Sequence, residues 1–150
     1  MDLEQEIKQK AFRSEQSKLI VNLIYTYNQL KSRIATVLKD EGVTMQQYNV
    51  LRIVNGAGDE GITTSEIRER MLDKMSDASR MVDRLETMEL LLKQRDRDDR
   101  RVVHVFLTER GQALVKRLME QETIDQLASG VKEESAQQLN ELLDAFRASL

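Results

Sequence analysis

Two short runs suited to β-strands, Leu90 to Arg95 and Val102 to Leu107, enclose six residues that carry nothing but charge, Asp96 to Arg101. Six consecutive charges cannot be buried unpaired. The flanking runs must therefore fold back on each other, with the charges at an exposed hairpin tip. Upstream, Ala78, Met81, Val82 and Leu85 recur at three- and four-residue spacing, which predicts a helix following Ser76. Before it, Ile67, Met71 and Leu72 follow Thr63-x-x-Glu66, a capping box that satisfies orphan amides at a helix start. Only Asp73 to Met75 separate the two helices. Downstream, Thr108 caps a further helix with Gly111 in its first turn. The stretch from Ile62 to Gly111 thus reads helix, tight turn, helix, charged hairpin, helix.

That order is a helix-turn-helix with a wing. The second helix of such a pair can enter a DNA major groove. The flanks are helical as well. From about Leu3 to Lys39 the periodicity is strongest at Ile20, Leu23, Ile24, Tyr27, Leu30, Ile34, Val37 and Leu38, and Gly42 ends it. A second capping box, Thr44-x-x-Gln47, opens a helix running through Tyr48, Leu51 and Val54 to about Asn55. Gly56 to Gly61 reads as a loop, and it lacks the Lys-Ser/Thr that completes a phosphate-binding loop. After the wing, Leu114, Val115, Leu118, Met119 and Leu127 predict a helix from Thr108 to about Leu127. Ser129-Gly130 breaks it, and a last helix over about Lys132 to Ala148 carries Leu139, Leu142, Leu143 and Phe146. The terminal stripes are longer than the central unit can cover, so they predict a homodimer.

Composition narrows the class. At 33% charged and 40% hydrophobic, the 150 residues suit one helical domain, and the absence of Pro lets helices run unbroken. No apolar run approaches the ~20 residues of a membrane span, and MDLEQEIKQK lacks the order of a signal peptide. A cytoplasmic protein with no membrane partner is expected. Without Cys there are no disulfides, thiolate zinc sites or thiol switches. The single His104 cannot supply a usual zinc set, so no metal and no cofactor are expected. The seven Met residues at helical spacing read as core packing. Nothing resembles a nucleophile–base set, and an enzyme is not expected.

Charge complicates a DNA reading. The net charge is −3, and from Glu66 to Arg101 ten basic residues face ten acidic ones. Lys93 to Arg101 alone holds five basic against three acidic. Local arrangement decides, because screening confines charge effects to about 8–10 Å.

Four motifs in order resemble the MarR family of bacterial transcription regulators. They are Val43-Thr44-Met45-Gln46-Gln47-Tyr48-Asn49-Val50-Leu51; Val82-Asp83-Arg84-Leu85; Asp96 with Asp98-Asp99-Arg100-Arg101; and Leu107-Thr108-Glu109-Arg110-Gly111. The resemblance covers nearly the whole chain. It implies a mostly α fold with a small β-hairpin, in which residues 1–42 and 112–150 are dimerisation helices around a winged-helix core at 43–111. It further implies a repressor of a pseudo-palindromic DNA operator, released by a small aromatic or phenolic effector, with Tyr48 lining the effector site. Two positions depart from the family pattern. Arg97 follows the first wing Asp, and Glu89 replaces the Gly that usually ends the reading helix.

The expected DNA contacts follow. Thr64 opens the first helix of the pair. Ser76, Asp77, Ser79, Arg80 and Arg84 stand on the outward side of the second, where Arg can bind guanine through two parallel hydrogen bonds. The alternative is a solvated face, with Asp77 favouring the positive helix end and Arg84 paired within the protein, as the family's Asp-Arg pair often is. By resemblance Arg100 enters a minor groove, held by Asp98, with Arg97 and Arg101 near phosphates. A narrow minor groove does concentrate negative potential. A winged helix that docks only on protein is the competing function.

Overall fold

The computed structural model describes residues 2–120 and 124–150. Among them the order is α1 (Leu3–Glu6), α2 (Glu15–Leu38), α3 (Met45–Ala57), β1 (Ile62–Thr63), α4 (Thr64–Arg70), α5 (Ala78–Thr87), β2 (Leu91–Arg95), β3 (Val103–Leu107), α6 (Glu109–Glu120) and α7 (Glu133–Ala148). Short 3-10 turns lie at Lys39–Glu41, Gly58–Glu60 and Asp125–Ala128. The mostly helical fold with its hairpin matches the sequence expectation.

Both expected capping boxes form. Thr44 Oγ1 accepts from Gln47 N and the Gln47 amide oxygen accepts from Thr44 N. Thr63 and Glu66 make the same reciprocal pair at α4. The buried residues of α3, α4 and α5 include those expected from the spacing, Tyr48, Leu51 and Val54; Ile67; Ala78, Val82 and Leu85, and α3 buries Val50 as well. They meet Leu38, Met71, Leu91, Val105, Leu114, Val115 and Leu118 in one core. Each fully buried Leu or Val contributes about 1.5–3 kcal/mol.

The sheet holds a third strand that the sequence did not announce. Ile62 and Thr63 pair antiparallel with Val105 and His104, giving the order β1-β3-β2. Two residues are too few for a periodic signal. They become a strand only because β3 offers them a free edge. The glycine-rich stretch after α3 is likewise more ordered than a loop: α3 continues to Ala57 and a 3-10 turn occupies 58–60.

Three helix boundaries differ from expectation. The first helix is not continuous from Leu3. Lys8 takes a left-handed φ of 55°, and Ser14 then caps α2 by accepting from Ser17 N. The four-residue α1 folds back on α2, with Lys18 on Glu4 at 2.6 Å and the Tyr25 hydroxyl donating to Glu6 at 2.9 Å. Next, α4 stops at Arg70. Met71 turns extended and stays in the core, while Leu72, expected on the buried face, is 84% exposed. The connection therefore runs from Met71 to Asp77 and not from Asp73 to Met75; Asn49 Oδ1 anchors it by accepting from Leu72 N at 3.0 Å. Finally, the described part of α6 ends at Glu120, and the expected helix over 121–123 lies outside the described residues.

The end of α5 explains two motif residues at once. Leu90 N donates to Leu85 O and Glu89 N donates to Glu86 O, the paired bonds of a Schellman ending. That ending puts Glu89 at φ 59°, a conformation suited to Gly. The departure from the family pattern is thus a strained cap, not a different one. Close by, a Cβ on Gly111 would stand 2.1 Å from Leu90 O, so only Gly fits there. Replacing Glu89 with Gly should stabilise the fold by about 0.5–1 kcal/mol, and Gly111→Ala should destabilise it by at least about 2 kcal/mol, both read by urea denaturation.

Candidate nucleic-acid interface

Helix α5 is the candidate reading helix, and its N-terminus is built by short polar contacts. Asp77 is its N-cap, accepting from Arg80 N at 3.0 Å. One turn earlier Asp73 accepts from the Ser76 hydroxyl at 2.8 Å and from Met75 N at 3.0 Å. These bonds, the Ser76 hydroxyl first, hold the Asp73 carboxyl below its ordinary pKa. Of the expected contacts, Asp77 is therefore committed to capping and Ser76 to the turn, while Ser79, Arg80 and Arg84 stand exposed.

Beside that terminus, Thr64, Ser65 and Arg68 of α4 and Ser76 to Ser79 line a shallow groove. Thr64 was expected there. Ser65 and Arg68 were not, and a polar face at helical spacing, 64, 65 and 68, was the signal that could have found them. Among the described residues Arg84 forms no ion pair. Asp83, its expected kind of partner, is bound instead by Lys93 of β2, which also reaches Glu86 at 3.0 Å.

The wing is organised by Asp96 and Asp99. Asp96 Oδ1 accepts from the backbone N of Asp98 at 2.8 Å and of Asp99 at 3.0 Å. Those two amides are the main reason its carboxyl titrates below the ordinary value. Its other oxygen lies 3.4 Å from His104 Nε2, placing the lone histidine in support of the tip from β3. Asp99 grips Arg101 through Nε and Nη2, both at 3.0 Å, and this charge-assisted pair lowers the Asp99 pKa. Arg95 Nη1 donates to Arg100 O at 3.2 Å. The expected hold of Asp98 on Arg100 is absent. Asp98 contributes its amide to the turn, because Asp96 begins the turn and so reaches the N–H groups two and three residues on. Arg97 and Arg100 extend from the tip with no ion pair among the described residues, whereas Arg101 is tethered.

A second concavity of about 1000 Å³ lies on the other flank of α5, between its outward side and the start of α3. Thr44, Gln47, Arg80, Met81, Arg84 and Met88 are among its walls. Tyr48 is not. It is 6% exposed, inside the core. Among the described residues no group of three or more His, Asp or Glu is placed to hold a metal, and no helix is long and apolar enough to cross a membrane.

The family described as transcriptional regulator SarA/Rot matches residues 32–118, from the last two turns of α2 to the end of the core in α6. The chain belongs to that family. It is a DNA-binding transcription regulator with a MarR-type winged helix. The chain is 26% identical over 128 residues to the HTH-type transcriptional regulator MhqR of Bacillus subtilis (strain 168), covering 84% of this chain and 87% of MhqR. It is 32% identical over 95 residues to the HTH-type transcriptional repressor MdtR of the same organism, covering 63% of this chain and 60% of MdtR. A mutant MarR from E. coli, solved with operator DNA, shares the fold at a TM-score of 0.71. That match is at 24% identity and covers 97% of this chain and 99% of MarR. The family and these relatives are regulators of transcription, not enzymes.

Several carboxylates that shape the candidate interface, those of Glu66, Asp73, Asp96 and Asp99, titrate below their ordinary values through the bonds they accept. A depressed carboxyl contributes stability above its unfolded pKa and loses it as pH falls through the folded value. Thermal stability should therefore hold down to about pH 5 and decline below about pH 4. Asp96→Ala should weaken duplex binding about tenfold and lower the melting temperature slightly at neutral pH, because it frees only the tip.

Proposed function

We propose that the chain acts as a homodimeric repressor that reads a pseudo-palindromic operator. In this reading residues 43–111 form the reading head and residues 1–42 and 112–150 the dimer scaffold. The carrying observation is a reading helix whose two arginines, Arg80 and Arg84, lack ion pairs among the described residues, next to a wing whose Arg97 and Arg100 lack them likewise. Ser79 and Arg80 meet base edges, Thr64, Ser65 and Arg68 meet phosphates, and Arg100 enters the minor groove. Arg97 and Arg101 lie along the backbone there.

The homodimer is supported by the terminal helices. Helix α7 has no buried residue, with Leu142 68% exposed, and α2 exposes Ile20, Ile24 and Tyr27. An apolar face of this length is stable in water only when covered. Two heads held by such a scaffold would meet successive major grooves about 34–36 Å apart. Repression follows if the bound dimer occludes a promoter in the cytoplasm, and the likeness to MdtR supports that direction. The concavity beside α5 would take a small aromatic or phenolic acid, its carboxylate on Arg80 or Arg84. Such a ligand competes with DNA for the same guanidinium groups, and it shifts the equilibrium only by its differential affinity for free and bound forms.

Selection from a random-sequence duplex pool should enrich an inverted repeat with half-sites about one turn apart. Arg100→Ala should weaken binding to that duplex and reduce the slope of log affinity against log salt by about one. Equal binding of all duplexes, or none at low salt, would refute operator reading and favour docking on protein. Sedimentation should show a dimer, and Leu142→Asp a monomer.

A further inference from the structure

Charge is the unresolved problem of this interface, since its basic and acidic residues are equal in number. The answer lies in which acids are occupied. Two carboxylates belong to the reading helix itself, Asp83 and Glu86, and a third, Asp77, caps it. Asp77 is spent on the Arg80 amide. Asp83 and Glu86 sit three residues apart, and one ammonium, Lys93 Nζ, bonds both. No arginine of the helix takes part.

Lys93 reaches them because of strand parity. It follows buried Leu91 by two residues, so it shares the sheet face that packs on α5. Only 31% of its side chain is exposed. Asp83 lies on the helix surface next to Ser79 and Arg80, at i+4 and i+3. Without Lys93, two uncompensated negative charges would face the duplex phosphates from within the reading surface.

We propose that Lys93 is a positioning residue for DNA reading, which holds both the Asp83 and Glu86 carboxylates on one ammonium, offsets one of their two charges and thereby leaves the α5 surface that bears Arg80 and Arg84 net positive toward the duplex. The proposal rests on α5 being the element that enters the groove. It assigns a DNA-binding role to a lysine that need not touch DNA.

Four full-length proteins would be compared on the duplex enriched from the random pool: wild type, Lys93→Gln, Asp83→Asn/Glu86→Gln, and the triple variant. Binding is read by fluorescence anisotropy at several salt concentrations, with melting temperatures alongside. Lys93→Gln should lose about tenfold in affinity, and the loss should shrink as salt screens the exposed carboxylates. The triple variant should recover to within about threefold of wild type, although it has lost the same ion pairs. The acid-to-amide double variant should bind at least as well as wild type.

A triple variant as weak as Lys93→Gln would overturn the masking role, because a merely structural strut is not rescued by removing its partners. Lys93→Gln binding at wild-type strength would overturn it too. Wild-type protein that binds no duplex would sink the operator reading and this proposal with it.

Discussion

Three elements converge on the carbonyl of Leu90, and the geometry of the winged helix depends on that convergence. The reading helix ends there in a left-handed turn at Glu89, β2 begins immediately after, and Thr108 N donates to Leu90 O at 3.1 Å as α6 starts. Thr108 Oγ1 donates to Glu89 O at 2.7 Å and accepts from Gly111 N at 3.0 Å. The candidate reading helix, the strand that carries the wing and the helix that leads out of the core are thereby fixed to one another. The contact is so close that a methyl group at position 111 would collide with backbone. A side chain other than Gly at position 89 is tolerated because the two bonds of the helix ending and the Thr108 contact together outweigh a left-handed penalty of about 1–2 kcal/mol.

From this junction the electrostatics become intelligible. A protein of net charge −3 can present positive charge to DNA only if its acids are occupied or remote. At the candidate interface most of them are occupied. Asp73 and Asp77 hold the turn and the helix start, Asp96 and Asp99 build the wing, and Asp83 and Glu86 are held by Lys93. The arginines left over are those at the helix surface and the wing tip. Elsewhere Arg117 is used structurally, chelating Glu41 at 2.9 and 2.6 Å to tie α6 to the turn after α2. Counting charges along the chain therefore understates its suitability for DNA, since the count cannot tell an engaged carboxylate from a free one.

Much of this was legible in order and spacing. Both capping boxes, the buried positions of α3 and α5, and the hairpin with its charged tip are local features, set by residues within a few positions of one another. Local errors arose where tertiary contacts overrode the pattern. Leu72 has helical spacing but leaves the helix because Asn49, 23 residues away, captures its amide. The strand at Ile62–Thr63 exists because β3 has an edge to offer. The break before α2 comes from Glu4 and Glu6 finding Lys18 and Tyr25, partners invisible to any periodicity.

The same division holds for the site. Sequence alone determined that a reading helix and an arginine-bearing wing would lie side by side, because capping, periodicity and strand parity act over a few residues. Tertiary structure decided which of those residues are available. Asp98 was expected to hold Arg100, yet Asp96 and Asp99 shape the tip. For Arg84 the sequence leaves open a DNA contact or a partner inside the protein, and Lys93 takes Asp83, the acid next to it. Tyr48 was expected on a cleft wall, yet it fills the core. Hydrogen-bond and ion-pair partners are chosen by distance in space, and a sequence specifies those distances only through the packing of the whole chain.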